Sequence, residues 1–80
     1  MLFDKNGIEI HIGDYVVDLG YGAILPFKVS MLSKKRLVLK PLVKVSFSSH
    51  TYYDLQAATK SITIISEAEV VLNILKYHSK

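Results

Sequence analysis

The stretch that decides the fold is DKNGIEIHIGDYV, residues 4–16. Ile8, Ile10 and Ile12 alternate with Glu9 and His11. Successive side chains of a strand point to opposite faces, so the spacing predicts three isoleucines on one sheet face and Glu9 with His11 on the other. Asn6-Gly7 tolerates the positive φ of a tight turn, and Phe3 is placed to pack beneath it. Gly13-Asp14 predicts a second sharp bend before Tyr15-Val16-Val17-Asp18-Leu19, a further strand rich in β-formers.

The same reading extends along the chain. Gly20-Tyr21-Gly22 is a break, and the apolar stretch from Ala23 to Leu32 follows it. Pro26 inside that stretch predicts an edge strand or a bulge, because proline gives no N–H to a ladder. Ser33-Lys34-Lys35 is a polar turn. Arg36 to Phe47 reads as one long strand or two short ones broken at Lys40-Pro41, with Val43, Val45 and Phe47 alternating with Lys44 and Ser46. SSHTYYDLQAATKS, residues 48–61, predicts a loop with one helical turn over Asp54–Thr59. Ser61 to Ile65 is a short strand. Ser66 with Glu69 three residues later has the form of a capping box. Ala68, Val71, Leu72 and Leu75 then fall on one helical stripe, although the β-branched Val70, Val71 and Ile74 leave a closing strand as the alternative.

Eighty residues predict one domain, 1–80, burying about 60–65% of the surface its unfolded chain exposes. Half the residues are apolar and 21% are charged, a globular composition. There is no cysteine, so neither a disulfide nor a thiolate zinc site holds the fold. The N-terminal residues carry Asp4 and Lys5 and lack a signal peptide's apolar core. No apolar run reaches the roughly 18–20 residues of a membrane span. The expected location is cytoplasmic. Charge is sorted along the chain: residues 1–20 hold four acids and one lysine, and residues 51–80 hold three of each sign. Residues 21–50 hold Lys28, Lys34, Lys35, Arg36, Lys40 and Lys44 with no acid. Such a block is an electrostatic footprint or an edge-protecting set of lysines.

Little in the chain reads as chemistry. His11, His50 and His78 have no ligand spacing to one another, so no metal or cofactor is expected. Asp14 and Asp18, four apart on a strand, share a face at about 13 Å, beyond the roughly 5–9.5 Å of paired-carboxylate hydrolases. Ser49-His50 near Asp54 invites a triad, but neighbours on a strand point to opposite sides. Gly20 and Gly22 lack the third glycine and the helix start of a phosphate loop. The expectation is a non-enzymatic protein.

The pattern Asn6-Gly7-x-Glu9-Ile10-x-Ile12-Gly13-Asp14-x-Val16 resembles the opening of small SH3-like β-barrel proteins, many of them encoded by bacteriophages. More distantly it resembles the Gly-Asp-x-Val start of KOW modules in transcription and translation factors. The likeness covers about thirteen of the eighty residues. A KOW module continues with a glycine-rich loop and a Gly-x-Val, where this chain has Gly20-Tyr21-Gly22-Ala23-Ile24. The resemblance implies a fold, and by extension a phage-type accessory protein that binds a host macromolecule in the host cytoplasm and modulates it.

The sequence therefore predicts a mostly β domain, a small SH3-like barrel of about five strands with a C-terminal helix or closing strand. A binding function is expected. Tyr21, Ile24, Phe27 and Met31 are candidates for protein contact, because so apolar a chain leaves some large side chains outside. Lys28, Lys34, Lys35, Arg36, Lys40 and Lys44 are candidates for nucleic acid, with Tyr15, Tyr21, Phe27, Phe47, Tyr52 and Tyr53 as stacking surfaces. The partners in view are a host protein, a nucleoprotein complex, nucleic acid, or a second copy docked on the Val70–Tyr77 segment.

Overall fold

The alternation of residues 8–12 does not become a strand. In a computed structural model that describes residues 1–79, Ile10 is buried while Ile8 and Ile12 are 54% and 64% exposed. The segment makes only an isolated bridge between Phe3 and Glu9. The cause is local. The Asp4 carboxylate accepts the N–H groups of Asn6 and Ile8, each at 2.9 Å, and so takes donors that a ladder would use. Gly7 (φ 81°) and Gly13 (φ 96°) then turn the chain in the left-handed region, and Asp14 accepts the His11 N–H at 2.7 Å. His11 lies exposed between Glu9 and Asp14, at 3.7 and 3.9 Å.

The sheet begins one bend later. Strand β1 is Tyr15–Asp18, β2 is Pro26–Leu32, β3 is Leu37–Pro41, β4 is His50–Tyr52 and β5 is Ile62–Ile65. All pairs are antiparallel and the order is β4-β3-β2-β1-β5. Helix α1 (Leu55–Ser61) precedes β5, and α2 (Glu67–His78) follows it. The protein is mostly β with a C-terminal helix.

Period two sorts each strand. Val16, Phe27, Val29, Leu37, Leu39 and Ile62 form the main core, covered by Leu2, Ile10, Leu25, Val43 and Ala58 of α1. Full burial of each such side chain stabilises the fold by about 1.5–3 kcal/mol. On the other face, Val17 and Ile65 pack beneath Val70 of α2. Pro26 is the first residue of β2, which lies between β1 and β3, so the expected edge strand is an interior one. It is tolerated there because a strand's first position can lack a donor, and its carbonyl accepts the Leu42 N–H at 2.9 Å. A bulge does occur in β2, between Val29 and Met31. The turn at Ser33 forms as expected, with the Ser33 hydroxyl accepting from the N–H groups of Lys35 and Arg36. After Pro41 the chain is irregular, so Arg36–Phe47 is one short strand, β3, and a connection in which Val43 is buried and Val45 and Phe47 half-buried.

At α2 the capping box is present: Ser66 accepts the Glu69 N–H at 3.2 Å. The helix is rotated opposite to expectation. Val70, Ile74 and Tyr77 face the protein, while Val71, Leu72 and Leu75 are 57%, 54% and 62% exposed. The β-branched Val70 and Ile74 fit the pleated sheet surface, and the short link through Ser66 from β5 fixes which side of the helix meets it.

The strand ladder is not closed, since no pairing joins β4 to β5. The sheet is nevertheless curled. Strands β4 and β1 are three places apart, about 14 Å in a flat sheet. Yet the Tyr52 hydroxyl of β4 donates to Asp18 of β1 at 2.6 Å. The outer edge of β5 is covered by the N-terminal segment, where Lys5 N–H donates to Ile62 at 2.8 Å and Ile64 N–H donates to Asp4 at 3.0 Å. That limits edge-to-edge pairing with other chains.

Candidate functional site

The C-terminal end of β1 organises an aromatic surface. Asp18 is fully buried and splits its carboxylate between two donors. One oxygen accepts the Gly20 N–H at 2.8 Å, which caps the 3₁₀ turn Leu19–Tyr21, and the other accepts the Tyr52 hydroxyl at 2.6 Å. A Cβ at position 20 would stand 3.3 Å from the Asp18 carboxylate, so glycine lets the turn close over the acid. Burial, with the hydrogen bond to Asp18 and its charge, pushes the Tyr52 hydroxyl up to about 12. Gly22 (φ 75°) and Ala23 (φ 58°) then reverse the chain, with Ala23 N–H donating to the Asp18 carbonyl at 3.0 Å.

This turn sets the Tyr21 ring against three supporting side chains. Its centroid lies 5.4 Å from Phe27, 5.5 Å from Phe47 and 5.3 Å from His50, and its hydroxyl is 3.1 Å from His50 Nδ1. His50 in turn meets Tyr52 edge-on at 4.7 Å. Offset and edge-on aromatic pairs of this kind are worth about 0.5–1.5 kcal/mol each. Phe27 is the buried floor, and Tyr21 remains 36% exposed on top. The result is a held aromatic side chain with a hydroxyl at its rim.

The four residues predicted for protein contact do not form one surface. Tyr21 is in this cluster and Ile24 is half-buried in the loop beside it. Phe27 is wholly buried, a core residue that no partner can reach. Its period-two neighbours are inward-facing, and that placement overrides its hydrophobic-anchor chemistry. Met31 is 41% exposed at the opposite end of β2.

The six cations are all exposed. Lys28 of β2 and Lys40 of β3 are directly opposite partners in the ladder, an arrangement of like charges that costs stability. Lys28 also lies over the Tyr15 ring at 5.9 Å. Lys34, Lys35 and Arg36 form the tip of the same hairpin, and Lys44 follows β3. Among the described residues the ion pairs within 4 Å all involve His11, so none of these cations is paired with an acid there.

Phe47 and Tyr52, expected from the sequence as stacking surfaces, reach Tyr21 and Asp18 only through contacts distant in sequence. Asp18 and His50 were not expected at this site, and the local signal for Asp18 was an acid inside the apolar run of β1. The triad and carboxylate-pair geometries are not assembled. Asp54 caps α1 by accepting from Gln56 and Ala57 N–H groups, His50 meets Tyr21, and Asp14 holds the loop at His11. Among the described residues no three His, Asp or Glu side chains are grouped to hold a metal ion, and no helix is long and apolar enough to cross a membrane. Compared with known protein families, with curated proteins and with solved structures, the chain matches none.

Proposed function

We propose that the domain is a non-enzymatic binding module, a small phage-type accessory protein that binds a host protein in the host cytoplasm and modulates it. The observation that carries this reading is Tyr21, a partly exposed aromatic fixed by Phe47, Phe27 and His50. A pre-fixed tyrosine gives up little conformational freedom on binding, which is why such residues serve as interface anchors. The partner's surface is acidic where it meets the β2–β3 hairpin, because among the described residues no carboxylate pairs with Lys28 or Lys40. The SH3-like reading of the fold has matching support. A meander of four strands curls until β4 touches β1, and the fifth strand returns to β1. Immobilised protein is expected to retain a specific host protein, and Tyr21→Ala to lower that retention at least about tenfold while the circular-dichroism spectrum stays unchanged. Equal retention by Tyr21→Ala would remove the reading.

A second reading is nucleic-acid or nucleoprotein binding through the basic hairpin, favoured by the paired Lys28 and Lys40 and the cationic tip. Its affinity for mixed DNA or RNA would fall steeply with salt. Neutralising Lys34, Lys35 and Arg36 together would flatten the log–log slope by about two to three. Absence of binding at low salt eliminates it, and nuclease treatment of the captured material separates the two readings.

A further inference from the structure

Helix α2 has two apolar sides, and the fold uses one. Val70, Ile74 and Tyr77 pack inward, while Val71, Leu72 and Leu75 stand more than half exposed. Its charges are sorted by position, with Glu67 and Glu69 in the first turn and Lys76 and His78 in the last. At about 100° per residue, Glu67 and His78 lie along one flank of the exposed stripe, and Glu69 and Lys76 along the other. Each flank therefore carries an acid at its N-terminal end and a base at its C-terminal end.

That pattern is self-complementary in one orientation. When two helices pair antiparallel about a two-fold axis, each flank meets the same flank of the other copy, running the opposite way. Glu69 then faces the second copy's Lys76, and Glu67 faces its His78. The midpoints of both pairs fall between Leu72 and Asn73, the middle of the stripe. About the same axis Leu72 meets Leu72, and Ala68, the small residue, lies beside Leu75. A parallel pair would bring the two flanks together and set Glu67 of one copy beside Glu69 of the other.

We propose that α2 docks on α2 of a second copy of this chain, antiparallel, with the axis near Leu72. The contact can spread sideways. A shallow groove of about 320 Å³ lies between α2 and the sheet, lined by Tyr15, Leu42, Glu67, Val70, Val71 and Ile74. A twelve-residue helix is about 18 Å long and offers less area than a standard stable interface, so the dimer is reversible. The groove borders the basic surface, since Lys28 lies over the Tyr15 ring at 5.9 Å.

The test is sedimentation equilibrium in low salt from about 5 µM to 1 mM. The mass is expected to rise from that of the 9.0 kDa chain to twice that value. Leu72→Glu, at a position already exposed and so neutral to the fold, weakens association at least about 100-fold by placing two carboxylates at the axis. Lys76→Glu and Glu69→Lys each weaken self-association about tenfold, and an equimolar mixture of the two associates at least as tightly as the natural chain, because positions 69 and 76 of the two copies are again opposite in sign. A chain that remains monomeric at 1 mM, or a dimer that survives Leu72→Glu, overturns the proposal. A mixture no tighter than its components overturns the antiparallel register.

Discussion

Two buried carboxylates close this fold, and they do so by different chemistry. Asp4 is served by the backbone alone: Asn6 and Ile8 N–H on one oxygen, Ile64 N–H on the other. Asp18 is served by one backbone donor, Gly20, and one side-chain hydroxyl, Tyr52. Asp4 binds the N-terminal loop to the edge of β5, and Asp18 binds β4 over onto β1. A backbone N–H can only donate, whereas a hydroxyl can donate or accept. The two sites should therefore differ in what they tolerate.

Truncation should have the largest effect. Asp4→Ala strands three backbone donors and is expected to cost about 4 kcal/mol in urea unfolding. Asp18→Ala strands one backbone donor and one rotatable hydroxyl, for about 2–3 kcal/mol. Equal losses would mean that water replaces the Asp4 oxygens, and the distinction would fall.

Amide substitution sharpens the contrast at smaller scale. In Asp4→Asn one oxygen still serves Asn6 and Ile8, but the new NH₂ confronts the Ile64 N–H, donor against donor, for about 2 kcal/mol. In Asp18→Asn the oxygen keeps Gly20, and the Tyr52 hydroxyl turns to accept from the NH₂, for less than about 1 kcal/mol. The ranking, read as midpoints in the same denaturant series, is the prediction.

The smallest effects lie in pH, at opposite ends of the scale. Burial pushes the Asp4 carboxyl up, but the N–H groups of Ile64, Ile8 and Asn6 outweigh it and hold it below the usual carboxylate range. Its stabilising contribution is present above about pH 4 and is lost as pH falls through the lowered folded value, a dependence that Asp4→Asn abolishes. For Tyr52 the folded value is about 12 against 10 unfolded. The raised value means stability is full below pH 10 and is lost between about pH 10 and 12, as the ionised oxygen stops donating and repels Asp18. The ring is partly exposed, so the loss is on the order of 1 kcal/mol. Tyr52→Phe, melted across pH 9 to 12, is expected to lack that alkaline decline.

Much of the architecture could be read locally because it is locally determined. The turn at Ser33, the short helix near Asp54, the strand at Ile62 and the cap at Ser66 each rest on residues within a few positions of one another. One failure was itself local, and the others came where a distant partner decides. Ile8 and Ile12 keep a strand's spacing, yet Asp4 consumes the donors a strand needs. The stripe through Val71, Leu72 and Leu75 is as periodic as the one through Val70, Ile74 and Tyr77, and only the orientation of β5 selects between them. The candidate site was legible as composition, with Tyr21 and the cations of the hairpin named correctly as exposed. It was not legible as geometry, since Tyr21 is held by His50 and Phe47, which arrive from 29 and 26 positions away.

Strand β1 lies between β2 and β5, and Asp4 accepts from Ile64, so the N-terminal segment and the four-strand meander share one closing element. Without residues 62–65, β1 would have one bare edge and the N-terminal loop would lose its anchor. A single four-residue strand thereby joins two regions that are far apart in sequence, and the loss of either partner is felt by the other.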